Sequence, residues 1–278
     1  MLLFAVSAAT LAGTNLNDAR AAYQIWINEI IRESGRPFAR TVPGIFISSD
    51  EIVGGIRQGK IECFGVTALE FAKVSRLVYS DEVVLQDYLA DGIEYVLLVR
   101  SDSHVQNVAD LKGRQLLSHL HRDMVLAPAW LTVLLAANKL GLPDSFWRTD
   151  STHEKVNEVI LPVFFRSADA ACVSRRNWET AVELNPQLGH DLKILAVSPK
   201  VIPMVIGFRN NCDAEARARV IDSMLQISTT KVGRQIMALY GTQTFVGRPS
   251  SVLQGTLEMV RQYVRISLQT AGSRKGNS

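Results

Sequence analysis

The stretch "EYVLLVRSDSHVQNVADLKGRQLL", from Glu94 to Leu117, decides the predicted fold. It begins as a continuous apolar strand, passes through a polar turn, and becomes apolar again after Asp110-Leu111-Lys112-Gly113. A strand that is buried on both faces of a sheet has such an unbroken apolar run. We interpret the restart after the turn as the point where the chain leaves one lobe and enters a second.

Outward from this stretch, strand and helix patterns alternate, which predicts an α/β fold with two mixed, mostly parallel sheets and flanking helices. Strands are predicted in "LLFAV", "GIFIS", "KIECFGV", "RQLL", "ADAACV", "LKILAVS" and "PMVIGFR". Helices are predicted over about 18–34, after Ser48 or Ser49, in "TALEFAKV", over 124–140, in "HEKVNEVILPVFF" with a kink at Pro162, in "RRNWETAVEL", and over about 214–230, 232–240 and 250–266.

Two long apolar strands, near 93–100 and 193–209, bracket a self-contained α/β block. This arrangement predicts an outer lobe made of residues 1–95 and 203–266, an inserted lobe at 96–202, and a disordered tail at 267–278. Ligands of open α/β sheets bind beyond the carboxyl ends of the strands. We therefore expect a hinged protein that traps a ligand between its two lobes.

Composition excludes several other classes of protein. The 278 residues include 30 basic and 27 acidic side chains, for a net charge of +3, which is not the basic footprint expected of a nucleic-acid-binding protein. Three cysteines, an odd number, argue against a disulfide framework, and Cys63 and Cys172 lie in strand-like runs that suit small buried side chains. His119 and His121 lie in a predicted loop with no third ligand nearby, so no metal site is expected.

The amino-terminal residues, "MLLFAVSAATLAG", help to predict the cellular location of the protein. They lack the basic start of a signal peptide, so we interpret Leu2 to Val6 as the first strand of a mature domain. We expect a periplasmic or other extracytoplasmic protein whose signal peptide has been trimmed. No apolar run reaches the roughly 18 residues needed to span a membrane.

Motifs for catalysis are missing from the sequence. There is no Gly-x-Ser-x-Gly elbow, no Gly-x-x-x-x-Gly-Lys loop and no Gly-x-Gly-x-x-Gly. The acid pairs Asp50-Glu51 and Asp81-Glu82 are adjacent in sequence and would point to different sides of a helix. We predict that the protein is not an enzyme, has no catalytic residues and needs no cofactor.

A set of landmarks in a fixed order runs along nearly the whole chain. They are "GTNLNDARAAYQIW", "GGIRQGKIECFGVTALEF", "EYVLLVRSDS", "VADLKGRQLL", "VILPVFFRSADAACV" and "LAVSPKVIP". With them the sequence resembles the phosphate/phosphite/phosphonate-binding (PhnD-like) proteins of ABC transporters, which have the type 2 periplasmic-binding fold. The resemblance implies a monomeric solute-binding protein that captures a small anionic ligand and delivers it to an ABC permease. The alternatives are a ligand-sensing module of the same fold that signals to a membrane partner and, less favoured, an enzyme on this fold.

The resemblance also directs attention to the loops that follow the strands, where helix N-termini would donate N–H groups to an anion. These loops cover residues 8–17, 48–50, 67–68 and about 120–125. The candidate ligand-binding residues are Ser7, Thr14, Asn15, Ser49, Thr67, Arg122, Asp123, Arg166 and Ser198.

One segment departs from the family pattern. Where phosphonate-binding members have a Ser/Thr-rich turn before the inserted lobe's helix, this chain has "HLHRDMVLAP". Arg122 either binds a carboxylate or phosphate through both arms of its guanidinium, pairs with Asp123, or lies in solvent. Arg166 is either a second cation or a solvated turn residue. Thr14, Asn15 and Thr67 follow strands, but Asn and Thr also cap helices. His153 is interpreted as the start of a helix.

Overall fold

The computed structural model describes residues 2–11, 17, 21, 24–25, 28, 39–79, 81–239 and 241–275. The chain forms two compact units. Unit 1 comprises Met1–Gly92 and Ile202–Gln254, and unit 2 comprises Ile93–Val201 and Gly255–Ser278. The carboxyl-terminal segment from Gly255 belongs to unit 2, whereas residues up to 266 were predicted to lie in the outer lobe. The predicted helix over 18–34 lies mostly outside the described residues.

Unit 1 is built on a six-stranded sheet in the order β11-β4-β10-β3-β1-β2. Its strands are β1 (Leu2–Ser7), β2 (Ala39–Ile47), β3 (Cys63–Thr67), β4 (Val83–Gln86), β10 (Met204–Phe208) and β11 (Phe245–Arg248). Its helices are α1 (Ser49–Arg57), α2 (Ala68–Val74), α8 (Ala214–Gln226) and α9 (Lys231–Leu239).

The core of unit 1 lies between this sheet and α8. Phe4, Val84 and Phe208 on the strands pack in one cluster with Val220 and Met224 of α8. Each large apolar side chain that is fully buried contributes about 1.5–3 kcal/mol. Every residue of β3 is buried, as a central strand requires.

Unit 2 is built on a five-stranded sheet in the order β7-β6-β8-β5-β9. Its strands are β5 (Tyr95–Arg100), β6 (Gln115–His119), β7 (Thr149–His153), β8 (Ala170–Ser174) and β9 (Leu192–Val197). Its helices are α3 (Ala127–Ala137), α4 (Pro143–Phe146), α5 (Asn157–Phe164), α6 (Arg175–Leu184) and α7 (Pro186–Asp191), together with α10 (Gln254–Lys275), whose first residue belongs to unit 1.

The stretch quoted at the start behaves as predicted. β5 is an apolar, buried strand, and a short 3₁₀ helix at Val108–Leu111 precedes the turn into β6. Gly113 ends that turn with a φ of 72°, a left-handed conformation that favours glycine. The isolated bridge between Ile93 and Val201 joins the two ends of the inserted segment.

The sheets are mixed, as predicted, but they are not mostly parallel. In unit 1 the pairs β1-β2 and β1-β3 are parallel, and the pairs that join β10 and β11 to the described strands are antiparallel. In unit 2, β6 is parallel to both β7 and β8, whereas β5 is antiparallel to both β8 and β9. β5 and β10 are the first strands after the chain passes from one unit into the other. Parallel neighbours need a long crossover connection, usually a helix, whereas antiparallel neighbours do not.

Three predicted helices have different bounds in the structure. The helix expected over 124–140 is a 3₁₀ turn at Arg122–Met124 followed by α3, because Pro128 fits only the first turn of a helix. The helix expected from His153 begins at Asn157, and His153 instead ends β7, a short polar strand without an apolar pattern. The tail expected from 267 continues α10 to Lys275. Its Gln, Leu, Ala, Arg and Lys residues favour helix.

No helix among the described residues has both the length and the apolar composition required to cross a bilayer. Cys63 and Cys172, which were predicted to be small buried side chains, are buried, and all three cysteines are free and buried.

Candidate functional site

Three of the candidate residues meet at one edge of the unit 1 sheet. β2, β1 and β3 are neighbouring parallel strands, so their carboxyl ends lie at the same edge. Ser7 ends β1, Thr67 ends β3, and Ser49 begins α1 two residues after β2. This is the edge at which open α/β sheets bind ligands.

All three side chains contact the same carboxylate, which belongs to Glu70. Glu70 Oε1 accepts hydrogen bonds from the hydroxyls of Ser7 and Ser49. Glu70 Oε2 accepts from the backbone N–H of Thr67 at 2.8 Å and from its Oγ1 at 2.9 Å. Glu70 is only 2% exposed. We call these four residues the Glu70 cluster.

Glu70 was not among the residues predicted from the sequence, although a local signal for it exists. Thr67-Ala68-Leu69-Glu70 is a Thr-x-x-Glu capping box, in which Glu70 N also donates to Thr67 Oγ1 at 3.4 Å. Ser48 and Glu51 form the same motif at the start of α1, where Glu51 Oε2 accepts from Ser48 N at 2.9 Å. The motif predicts a helix start, but not that Glu70 also binds two distant serines.

The corresponding edge of unit 2 carries imidazoles. His119 ends β6 and His153 ends the adjacent parallel strand β7. The His119 ring stacks on the His121 ring, with centroids 5.5 Å apart and planes within 4°. His119 Nε2 lies 3.1 Å from the Glu154 carbonyl oxygen, and its Nδ1 lies 3.2 Å from Asn177 Nδ2. The carbonyl only accepts and the Asn177 amide nitrogen only donates, so Nε2 carries the hydrogen, Nδ1 accepts, and the ring is a neutral tautomer.

Burial is the main cause of a lowered pKa at His119, and the neighbouring His121 lowers it further. The Glu154 carbonyl and the Asp123 carboxylate act in the opposite direction. The net effect keeps His119 neutral near physiological pH.

Arg122 and Asp123 lie in the turn between β6 and α3. Arg122 is 7% exposed, and its Nε is 3.9 Å from Asp123 Oδ1, so its side chain is beside Asp123 and not in solvent. The Asp123 backbone N–H donates to His121 Nδ1 at 3.3 Å. Tyr95 Oη donates to the Asp123 carbonyl at 2.7 Å. This network fixes the turn relative to β5.

Ser198 and Arg166 lie elsewhere in unit 2. Ser198 is buried, accepts a hydrogen bond from Tyr95 N at 2.8 Å and donates to the Pro199 carbonyl at 2.8 Å. Arg166 is exposed, has a φ of 63°, and pairs with Asp102. The Asp102 carboxyl has a strongly lowered pKa because it accepts from Arg100 and Arg166.

The remaining candidates, Thr14 and Asn15, lie outside the described residues. The described part of the chain contains no group of three His, Cys, Asp or Glu side chains arranged to hold a metal ion.

Two mixed sheets with flanking helices, split between a discontinuous and an inserted segment, define the type 2 periplasmic binding proteins. A family model described as "ABC transporter, phosphonate, periplasmic substrate-binding protein" matches residues 11–248. The chain belongs to this family, and it is a substrate-binding protein of the ABC transporter type. The predicted resemblance and the predicted two-sheet α/β fold of the type 2 periplasmic binding proteins are thereby confirmed. The family consists of transport proteins and not enzymes, and it implies an extracytoplasmic location, a small-molecule ligand and a permease partner.

Solved structures share this fold at low sequence identity. The binding protein component of an ABC phosphonate transporter from Pseudomonas aeruginosa has a TM-score of 0.60 and 14% identity, covering 96% of this chain and 88% of that chain. PhnD1 from Prochlorococcus marinus, in complex with methylphosphonate, has a TM-score of 0.61 and 13% identity, covering 94% and 97%. A Xanthomonas citri protein bound to ATP has a TM-score of 0.66 and 13% identity, covering 96% and 98%. No curated protein matches the chain.

Proposed function

We propose that this protein captures a small oxyanion, of the phosphonate, phosphate or carboxylate class, and delivers it unchanged to an ABC permease as a monomer. The observation that carries the proposal is the buried guanidinium of Arg122 at the carboxyl-end edge of the unit 2 sheet. A guanidinium is planar and permanently charged, and it matches an oxyanion with two parallel hydrogen bonds. The Asp123 carboxylate lies beside this guanidinium, with Oδ1 3.9 Å from Arg122 Nε.

The start of α3 supports the same assignment. α3 has 11 residues, and its N-cap residue, Leu126, supplies no side-chain hydrogen bond. Pro128 in its first turn has no N–H, so Ala127 and Ala129 supply the first-turn amides there, and these amides together with the partial positive charge of the helix start attract an anion. Arg122 lies in the turn that leads directly into this helix.

Proteins of the same fold add chemical support. One is described in complex with methylphosphonate and another with ATP, and both molecules contain a phosphorus oxyanion.

Isothermal titration calorimetry tests the proposal. The probes are methylphosphonate, inorganic phosphate, methylsulfonate and acetate, with a quaternary amine and a pyrimidine as non-anionic comparisons. We expect one anion to bind with 1:1 stoichiometry and the non-anionic probes to be silent. Binding of the amine or the pyrimidine alone would contradict the anionic assignment.

Two further measurements address the rest of the proposal. Mass spectrometry of the bound anion after release should recover it unchanged, and light scattering should give the mass of one chain in solution, 30.7 kDa. A converted ligand would indicate catalysis, and a doubled mass would indicate a dimer.

A further inference from the structure

The Glu70 cluster has the chemistry of an oxyanion site that is already filled. Its two carboxylate oxygens accept four hydrogen bonds, from Ser7, Ser49 and both donors of Thr67. A carboxylate offers about four lone-pair positions, so these four bonds use its accepting capacity. Among the described residues no Lys, Arg or His forms an ion pair with Glu70, so hydrogen bonds take the place of a countercharge.

Every hydroxyl hydrogen in the Glu70 cluster takes part in a hydrogen bond to Glu70. Each serine or threonine hydroxyl has one hydrogen, and those of Ser7, Ser49 and Thr67 are directed at Glu70. Ser7 Oγ also accepts from Ala9 N at 3.2 Å. Ser49 is the partly exposed member of the cluster. Because its hydroxyl hydrogen is bonded to Glu70, its Oγ can only accept a hydrogen bond from another group.

We propose that Glu70 is a specificity-determining residue, a built-in anion that occupies an oxyanion cradle formed by Ser7, Ser49 and Thr67. This edge of unit 1 therefore does not bind an oxyanion from solution, and a ligand group that reaches Ser49 must be a hydrogen-bond donor, such as a hydroxyl or an ammonium. The inference deepens the proposed function, because it leaves oxyanion recognition to the turn at Arg122 in unit 2.

Chemical rescue tests whether the cradle is preformed. Glu70→Ala removes the carboxylate and leaves the four donors on Ser7, Ser49 and Thr67. Glu51→Ala is a matched control, because Glu51 is also the acid of a capping box in unit 1 but is exposed, and its carboxylate accepts hydrogen bonds from the N–H and hydroxyl of Ser48. Thermal unfolding is followed in sodium formate, acetate or chloride at equal ionic strength.

We expect Glu70→Ala to melt at a lower temperature than the wild type and to recover several degrees in formate relative to chloride. Calorimetry should detect a formate site in Glu70→Ala that the wild type lacks. The difference between formate and chloride should be smaller in the wild type and in Glu51→Ala, because both keep the Glu70 carboxylate in the cradle and can bind formate only at the turn around Arg122. An equal response of all three proteins would overturn the proposal.

A measurement on the wild type covers the case in which Glu70→Ala does not fold. In selectively labelled protein, the hydroxyl protons of Ser7, Ser49 and Thr67 should be visible by NMR and exchange slowly, because each is bonded to Glu70. Rapid exchange of the Ser7 and Ser49 hydroxyls would contradict the proposal. These tests use formate and hydroxyl exchange, so they can fail while the anion-binding function stands, and the reverse also holds.

Discussion

The phenol of Tyr95 donates a hydrogen bond to the backbone carbonyl of Asp123, 2.7 Å away, while the backbone N–H of Tyr95 donates to Ser198 Oγ at 2.8 Å. One residue of β5 thus connects the turn before α3 with the end of β9. Burial raises the pKa of the Tyr95 phenol well above its ordinary value, so the phenol stays protonated and remains a donor at neutral pH.

Tyr95→Phe removes this hydrogen bond with little change in volume. We expect the free energy of unfolding of unit 2 to fall by about 0.5–1.5 kcal/mol, the net contribution of one intramolecular hydrogen bond. Urea unfolding followed by tryptophan fluorescence measures the change, since the Tyr95 ring packs against Trp130 with centroids 6.1 Å apart. An unchanged unfolding midpoint would show that water replaces the phenol at no loss.

Arg122→Ala should weaken binding of the anion identified by calorimetry by about 1.5–3 kcal/mol, the range for a hydrogen bond to a charged group. Arg122→Lys should recover only part of that loss, because lysine keeps the charge but not the planar fork. Arg148→Ala is the control, since Arg148 is an exposed arginine of the same unit whose guanidinium lies 3.9 Å from Asp169. Unchanged affinity in Arg122→Ala would remove Arg122 from the site.

The two capping boxes of unit 1 should differ in strength. Ser48→Ala deletes the exposed cap of α1, and we expect a loss of about 1 kcal/mol in the free energy of unfolding. Thr67→Ala should lose about 2 kcal/mol or more, because it also leaves the buried carboxylate of Glu70 with one hydrogen bond fewer. Chemical denaturation of both variants provides the comparison, and equal losses would contradict a special role for the Glu70 cluster.

His119 should make stability depend on pH. Its pKa in the folded protein is below the ordinary 6.5, so the unfolded chain binds the proton more readily. Its contribution to stability is complete above pH 6.5 and decreases as the pH falls from there toward the folded-state pKa, with a slope of at most about 1.4 kcal/mol per pH unit. His121 and Asp123 face the ring and bias this titration in opposite directions.

His119→Gln keeps a donor and an acceptor but does not titrate. We expect its unfolding free energy to fall less than that of the wild type between pH 7 and pH 5.5. His104→Gln, at an exposed position, should keep the wild-type dependence. If His119→Gln and the wild type lose stability in parallel, another group is responsible.

Arg166 has a left-handed backbone conformation, with a φ of 63°, at an exposed turn. Glycine adopts this conformation without the clash of a Cβ atom. We expect Arg166→Gly to be more stable than Arg166→Ala by about 1 kcal/mol, since both variants lose the pairing with Asp102 and only alanine keeps the Cβ. Differential scanning calorimetry of the pair decides this, and a more stable alanine variant would contradict it.

Local patterns were sufficient for much of this fold. The apolar run of β5 and the turn that ends at Gly113 were both visible in the sequence, and Thr-x-x-Glu and Ser-x-x-Glu motifs mark the starts of α2 and α1. Such features depend on residues within one turn or one strand of each other. Short edge strands such as β7 were missed because a polar strand has no apolar periodicity, and its pairing depends on β6.

The convergence of Ser7, Ser49 and Thr67 on Glu70 could not be predicted from those patterns. Sixty-three residues separate Ser7 from Glu70 along the chain, and 21 separate Ser49 from it. They meet because β2, β1 and β3 pair in parallel, which brings the carboxyl ends of all three strands to one edge. The residue types at that edge were visible in the sequence, but which atoms accept their hydrogen bonds depends on strand order and register, which are properties of the folded sheet.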